Sequence, residues 1–235
     1  MFAGVDACKG GWVVAKSRSW PCREVPVLAM CADFRSVIEL TADCKRVAVD
    51  IPIGLPIGKQ QRLCDIEAKA FLHRFDHNPA SVFYTPPREC LPAQDPVELQ
   101  KLHREATHKG AGYPVWGILS KIREADEFMR PGLQERIIEF HPELAWLRMG
   151  CANLDSKHSP EGIAGRKKLL LRNVPELEKI LQWKDCLGRA AAIDDLLDAL
   201  VGIAVAKDSL RGSPCRLPDK AEETDRRGLR MEIWY

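Results

Sequence analysis

Four aspartates stand where a folded chain would bring their carboxylates together. Asp6 lies at the end of the first predicted strand, and Asp50 ends the strand that follows the first predicted helix. In α/β sheets, functional side chains gather beyond the strand ends. Asp195 and Asp198 are three residues apart and therefore share one face of a predicted helix, whereas we place Asp194 on the exposed side of that helix. The spacing predicts a site built from Asp6, Asp50, Asp195 and Asp198.

Converging carboxylates repel one another, and burial raises their pKa values unless a cation neutralises them. Oxygen ligands favour Mg²⁺ or Mn²⁺ over zinc. Two such ions held close together can activate a water molecule and stabilise the leaving oxygen in phosphodiester cleavage. Each aspartate taken alone has a plainer explanation as a turn, helix-cap or solvated residue. Their joint placement favours a divalent-metal site in which the same four residues are catalytic.

A second group of chemical side chains lies at the end of the fifth predicted strand. Glu139, His141 and Glu143 share one face if the strand stays extended. A histidine between two carboxylates is suited to act as a general base or as an additional metal ligand. The alternative is a strand-end histidine that is hydrogen-bonded to a neighbour. We predict His141 and Glu143 as further catalytic candidates.

Basic residues in the middle of the chain are candidates for substrate binding. Arg62, Arg88, Lys121 and Arg123 come from three different segments and would suit a wall that faces phosphate groups. Acidic residues accompany them, so a structural network of salt bridges is an equal alternative. These acidic neighbours are Asp65, Glu67, Glu124 and Asp126.

The hydrophobic pattern predicts the elements that would position these residues. The first fifty residues predict three strands, at 2–7, 12–15 and 25–31, then a helix capped by Asp33 and a strand at 46–51. This β-β-β-α-β order is how an RNase H-like domain begins. The expected fold class is therefore α/β, with a mixed five-stranded sheet flanked by helices.

The rest of the chain predicts a single domain, residues 1–235, interrupted by a helical insertion at about 57–133 after the fourth strand. The fifth strand is predicted at 135–143, followed by a helix from residue 144. We expect residues 153–165 to form a polar loop. The clearest helix, at 190–209, carries apolar residues at helical spacing and small residues suited to packing on a sheet.

Composition and charge exclude several classes of protein. The chain has 235 residues, of which 46% are hydrophobic and 29% charged, with a net charge of +2. It has no apolar run of membrane-spanning length, no signal-peptide pattern, and nine cysteines without a Cys-x-x-Cys pair. It also lacks phosphate-binding glycine loops and a Gly-x-Ser-x-Gly motif. We expect a cytoplasmic protein with no membrane partner, and a homodimer is one open option.

Seven ordered motifs between residues 3 and 206 resemble one known family. They are GVDACKGGW (4–12), DIPIGLP (50–56), RLCDIEA (62–68), PPR (86–88), KIREAD (121–126), EFHPE (139–143) and DDLLDAL (194–200). Together they are similar to the family of domain of unknown function 429 (DUF429), whose members are described as predicted RNase H-like nucleases. The resemblance implies a hydrolase that depends on Mg²⁺ or Mn²⁺.

The last motif also resembles the final helix of RuvC-type Holliday-junction resolvases, which bind two metals with acids on strand one, on strand four and as a pair on this helix. Asp6, Asp50, Asp195 and Asp198 occupy the matching places. Resolvases use Glu where this chain has Asp50, followed closely by Pro52. The shorter side chain requires the backbone to lie nearer the metal.

Three hypotheses follow for the function. The first is a divalent-metal-dependent nuclease or phosphodiesterase acting on nucleic acid or a nucleotide-like phosphoester. The second is a non-catalytic RNase H-like module that binds nucleic acid or a nucleotide. The third is phosphotransfer, as in sugar kinases that share this core, but those proteins usually contain two copies of the fold and this chain has room for one.

Overall fold

The computed structural model describes residues 1–150, 155–211 and 215–235. These residues form two compact units. The sheet unit comprises Met1–Asp50, the described part of Glu135–Cys215, and Trp234–Tyr235. The insert unit comprises Ile51–Gln134 and Arg216–Ile233. The interpretation of the chain as one domain with an insertion at about 57–133 stays a prediction.

The strands and helices have the following bounds. The strands are β1 Phe2–Cys8, β2 Gly11–Ser17, β3 Val27–Cys31, β4 Arg46–Asp50, β5 Ile137–Glu139, β6 Arg216–Leu217 and β7 Ile233–Trp234. The helices are α1 Phe34–Leu40, α2 Leu63–Arg74, α3 Pro96–Thr107, α4 Tyr113–Phe128, α5 Pro131–Gln134, α6 Pro142–Arg148, α7 Pro160–Leu170, α8 Leu177–Leu187 and α9 Ile193–Asp208. Short 3₁₀ turns lie at Pro79–Ser81 and Arg88–Cys90.

The sheet unit is built on a five-stranded sheet in the order β3-β2-β1-β4-β5. β1 pairs antiparallel with β2, and β2 antiparallel with β3, whereas β4 is parallel to both β1 and β5. β4 is a central strand with a continuous apolar run, and its residues Val47, Ala48 and Val49 are fully buried. The predicted fold class is confirmed, with a mixed five-stranded sheet flanked by helices and with helices inserted after the fourth strand.

Helix α9 lies directly against β1 because both surfaces lack bulky side chains at the point of contact. A Cβ atom added at Gly4 would lie 2.0 Å from the carbonyl oxygen of Ala199 and 2.6 Å from the Cα atom of Gly202. Neither position therefore tolerates a side chain without movement of the helix. This close approach determines where the acidic residues of α9 lie relative to the strand ends.

Two predicted boundaries are wrong. The fifth strand ends at Glu139, and α6 begins at Pro142 because proline is compatible with the first turn of a helix. The loop expected at 153–165 ends earlier, since Ser159 caps α7 by accepting a hydrogen bond from the amide of Gly162 (3.0 Å), and the helix begins at Pro160. Residues 153 and 154 of that expected loop lie outside the described residues.

The insert unit contains α2, α3, α4 and α5, in agreement with the helical segment predicted after the fourth strand. A small apolar cluster holds it together, and its buried members are Cys90, Ala93, Leu99, Val115 and Leu119. In the described part of the chain, no helix is long and apolar enough to cross a membrane.

Candidate metal centre

Asp6 and Asp50 lie side by side at the carboxyl ends of two parallel strands. They are register partners in the pairing of β1 with β4, so their side chains point to the same face of the sheet. Asp6 is buried, and the charges of Asp50 and Asp198 act on it across this edge of the sheet. The register of the two strands thus places Asp6 beside Asp50, while the role of these residues in a metal site stays a prediction.

The packing of α9 brings Asp198 to the same face. Gly4 precedes Asp6 by two residues and therefore points to the same side of the sheet, where it contacts Gly202. Asp198 lies four residues before Gly202, on the same face of the helix. Its side chain is completely buried, and its charge raises the pKa values of Asp6 and Asp50.

Two donors hold the carboxylate of Asp198. The indole Nε1 of Trp146 donates to Oδ1 at 2.8 Å, and Nζ of Lys157 lies 3.3 Å from Oδ2. Burial raises the pKa of Asp198, while Lys157 and Trp146 act in the opposite direction. Nζ of Lys157 also lies 3.6 Å from Oδ2 of Asp194. An ammonium group therefore lies among the acidic side chains.

Burial and mutual repulsion raise the pKa values of the two strand-end acids. Burial, followed by the charges of Asp50 and Asp198, raises the pKa of Asp6 well above its usual value. Burial raises the pKa of Asp50 to about 7, with Asp198 and Glu139 adding to the increase and Lys157 opposing it. Such groups favour a cation beside them.

Asp194 and Asp195, at the start of α9, have the reverse of the burial that the sequence predicted. Asp194 is buried and faces Lys157, so its assignment to the exposed side of the helix is wrong. Asp195 is partly exposed, and its Oδ2 accepts a hydrogen bond from the amide of Ala192 (2.6 Å) in the first helical turn. Burial raises the pKa of Asp195 to about 6, while the Ala192 bond opposes the change. The i,i+4 spacing of Asp194 and Asp198 was the signal that could have identified Asp194.

Glu139, His141 and Glu143 do not form one extended face, because α6 begins between them. Glu143 lies in the first turn of α6, where both carboxylate oxygens accept hydrogen bonds from Nη2 of Arg166, at 2.7 and 3.0 Å. Arg166 is buried, and the sequence did not indicate it as the partner of Glu143. Glu139 is buried and raises the pKa of Asp50. His141 occupies the capping position before α6, and its catalytic role stays a prediction.

Two of the proposed substrate-binding arginines make structural ion pairs within the insert unit. Arg62 is buried, donates to Asp65 Oδ1 from Nη2 at 2.6 Å, and also donates to two main-chain carbonyl groups. Nη1 of Arg88 donates to Asp126 at 2.6 Å and its Nη2 donates to the buried side chain of Asp225 at 2.5 Å. These contacts favour the salt-bridge alternative for both arginines over a wall that binds phosphate.

The other two basic candidates are also engaged within the insert unit. Nζ of Lys121 lies 2.8 Å from Oε1 of Glu124, one turn further along α4. Arg123 donates to the carbonyl oxygens of Leu91 and Ala93, at 2.7 Å each. These bonds give Arg123 a role in joining α4 to the segment before α3.

The donor set of the cluster has the right chemistry for a hard cation. All of its candidate ligands are carboxylate oxygens, which suit Mg²⁺ or Mn²⁺. Within residues 1–150, 155–211 and 215–235, no three His, Cys, Asp or Glu side chains are arranged as a group that could hold a metal ion. The positive charge that the carboxylates face is instead the ammonium group of Lys157, which stands where a cation is favoured.

Among the comparisons with known proteins, only the search of family models gave a match. No curated protein and no solved structure matches the chain with significance. The model of the family described as "Protein of unknown function (DUF429)" matches residues 4–223, which is nearly the whole chain. The chain therefore belongs to the DUF429 family.

Proposed function

We propose that this protein is an RNase H-like, divalent-metal-dependent nuclease or phosphodiesterase. The observation that carries the proposal is the convergence of Asp6, Asp50 and Asp198 on one face of the sheet unit, in a buried place that already attracts a cationic group. Proteins seldom bury several carboxylates together without a counter-charge. Burial of these carboxylates costs free energy, and a magnesium or manganese centre is the functional arrangement that best explains why the fold retains them.

Asp6, Asp50 and Asp198 would hold the metal once their side chains close around it, because the arrangement of the described residues does not yet bring three ligands into one group. Asp195 would lie at the edge of the site. A bound Mg²⁺ or Mn²⁺ would polarise a phosphoryl oxygen and lower the pKa of a bound water molecule. Because β1 and β4 are paired in register, the backbone fixes the separation of the two strand-end carboxylates. The site would thus be positioned by rigid elements, as accurate chemistry requires.

The surrounding residues orient the ligands. Trp146 fixes one oxygen of Asp198 by its indole hydrogen bond, and the other oxygen faces the ammonium group of Lys157. The ion pair of Glu143 with Arg166 also acts on Asp198, since the charge of Glu143 raises the pKa of Asp198 and the charge of Arg166 lowers it. Hydrogen-bonded partners of this kind typically affect metal affinity by about 10–100-fold.

A non-catalytic module that binds nucleic acid or a nucleotide is the second candidate. The observation in its favour is that Lys157 already pairs with Asp194 and Asp198, which reduces the need for a metal. Such a module would retain the sheet and the acidic cluster without hydrolysing its ligand.

The experiment that separates the candidates measures cleavage of branched DNA, RNA and a small phosphodiester, with and without Mn²⁺. We expect Mn²⁺-dependent cleavage that falls at least about a hundredfold in Asp6→Asn and in Asp198→Asn, because loss of a ligand should exceed the loss of an orienting partner. Asp185→Asn, on the exposed surface of α8, is the matched control and should keep full activity.

Two other outcomes decide against hydrolysis. Tight binding of nucleic acid or nucleotide without cleavage by the unmodified protein supports the module. Cleavage that survives both substitutions places the chemistry elsewhere and refutes the proposed site.

A further inference from the structure

A nucleic acid that lies across the acidic centre needs positive charge beside it. Carboxylates repel the phosphate backbone, and proteins that bind nucleic acid hold that backbone with lysine and arginine. The four basic residues predicted for this task are engaged in contacts within the insert unit. The net charge of the chain is only +2, so phosphate contacts have to come from a local group of basic residues.

Two exposed basic residues, Lys9 and Arg189, lie beside each other at the edge of the sheet where β1 ends. Lys9 lies in the turn between β1 and β2, three residues beyond Asp6, which places its backbone about 10 Å from that of Asp6. Arg189 lies between α8 and α9. The main chain joins the two segments, since the amide of Gly10 donates to the carbonyl oxygen of Ala190 at 2.7 Å. The basic pair, Lys9 and Arg189, is therefore part of the edge that carries Asp6.

The turn that carries Lys9 is packed tightly on its neighbours. A Cβ atom added at Gly10 would lie 2.6 Å from the Cβ atom of Ala190. Gly11 has a φ of +134°, and a Cβ atom there would lie 2.1 Å from the carbonyl oxygen of Cys31. Close backbone contacts on two sides thus fix the place from which the lysine side chain extends.

The charges of the basic pair face solvent. Lys9 and Arg189 are both exposed, and within the described part of the chain neither side chain forms an ion pair. Asp195, six residues beyond Arg189, instead accepts a hydrogen bond from the amide of Ala192 at 2.6 Å. The pair differs in this respect from the basic residues of the insert unit, whose donors are already engaged by protein acceptors.

We propose that Lys9 and Arg189 bind the phosphate backbone of a polynucleotide, so that the substrate of the acidic centre is a nucleic acid and not a small phosphodiester. The inference rests on the proposed function. Successive phosphates of one strand are about 3.4 Å apart along a duplex axis. A backbone held by the basic pair would therefore place a phosphate about three nucleotides further along at Asp6. Contacts of lysine and arginine with phosphates carry no base specificity, so we expect binding that does not depend on sequence.

The test is the binding of a fluorescein-labelled DNA duplex to the full-length protein, measured by fluorescence anisotropy in EDTA over a range of KCl concentrations. We expect the double variant Lys9→Gln/Arg189→Gln to bind at least about tenfold more weakly than the unmodified protein at about 50 mM KCl. The slope of log affinity against log salt concentration should become shallower by about 0.9 for each phosphate contact that is lost. The measurement requires neither a bound metal nor cleavage.

Two further variants separate the position of the charges from their number. Arg18→Gln/Lys45→Gln removes one arginine and one lysine from exposed positions at the opposite edge of the same sheet, because Arg18 follows β2 and Lys45 precedes β4. This control should bind DNA as the unmodified protein does. Lys9→Arg/Arg189→Lys keeps both charges and should recover the binding that the glutamine variant loses.

The outcomes separate this inference from the proposed function. Absence of DNA binding by the unmodified protein, or equal weakening in the control, would overturn the inference; Mn²⁺-dependent cleavage of a small phosphodiester would then leave the proposed function standing. Weakening confined to Lys9→Gln/Arg189→Gln, without cleavage of any substrate by the unmodified protein, would support the basic pair and refute hydrolysis. If the double variant does not fold, the salt dependence of the single variant Lys9→Gln decides the matter.

Discussion

Asp50 should make the protein less stable as the pH rises. Burial raises its pKa to about 7 in the folded state, whereas an unfolded aspartate titrates near 3.9. The folded protein therefore binds this proton more tightly than the unfolded chain does. The resulting stability is fully present below the unfolded pKa, at about pH 4, and is lost as the pH rises through 7. Replacement of Asp50 by Asn should remove this dependence, because the amide carries no charge at any of these pH values.

The magnitude follows from the two pKa values. A shift of about three pKa units corresponds to about 4 kcal/mol when the group is fully ionised. The side chain is partly exposed, so solvent screening reduces this figure, and we take half of the shift as the lower bound. On this basis, the free energy of unfolding of Asp50→Asn, relative to the unmodified protein, should increase by about 1–3 kcal/mol between pH 5 and pH 8.

Urea denaturation in the presence of EDTA at pH 5 and pH 8 measures this difference. Asp185→Asn is the control, since it removes the same charge from an exposed position on α8. At pH 8, added Mn²⁺ should stabilise the unmodified protein more than Asp50→Asn, because the ion would neutralise the carboxylate that the variant lacks. The reasoning is refuted if the advantage of Asp50→Asn is the same at both pH values, or if Asp185→Asn shows an equal increase.

Two further predictions concern the elements that position the centre. In Gly4→Ala, the new Cβ would lie 2.0 Å from the carbonyl oxygen of Ala199, so α9 must shift; we expect a loss of about 1–3 kcal/mol in the free energy of unfolding and weaker Mn²⁺ binding by calorimetry. Gly117→Ala, at a position with open space in α4, should instead add about 0.5–1 kcal/mol, and equal effects of the two substitutions would disprove the packing argument. Arg166→Met leaves the Glu143 carboxylate without its ion-pair partner and should cost about 3–5 kcal/mol in urea denaturation. A second change, Glu143→Leu, should recover much of that loss, and failure to do so would indicate that Arg166 acts through another contact.

The sequence by itself determined the elements of the sheet unit and the places of its strand-end acids. The apolar run at 46–51 predicted β4, and Asp33 predicted the start of α1, where its side chain accepts a hydrogen bond from the amide of Ser36 (2.8 Å). Asp6 and Asp50 were predicted to share one site because functional side chains of α/β sheets gather beyond the strand ends. These predictions depend on local patterns with a fixed period, which a single sequence displays directly.

Only the tertiary structure decided which polar residues of the later segments face the centre. The rotation of α9 about its axis is fixed by the contact of Gly4 with Gly202, and that rotation buries Asp194 while leaving Asp195 at the edge. The sequence gives no distance between Lys157 and Asp198, which are 41 residues apart and meet only when α7 and α9 pack in the same unit. Contacts between residues that are distant in sequence depend on how closely two helices or strands pack. That packing distance leaves no periodic pattern in the local sequence.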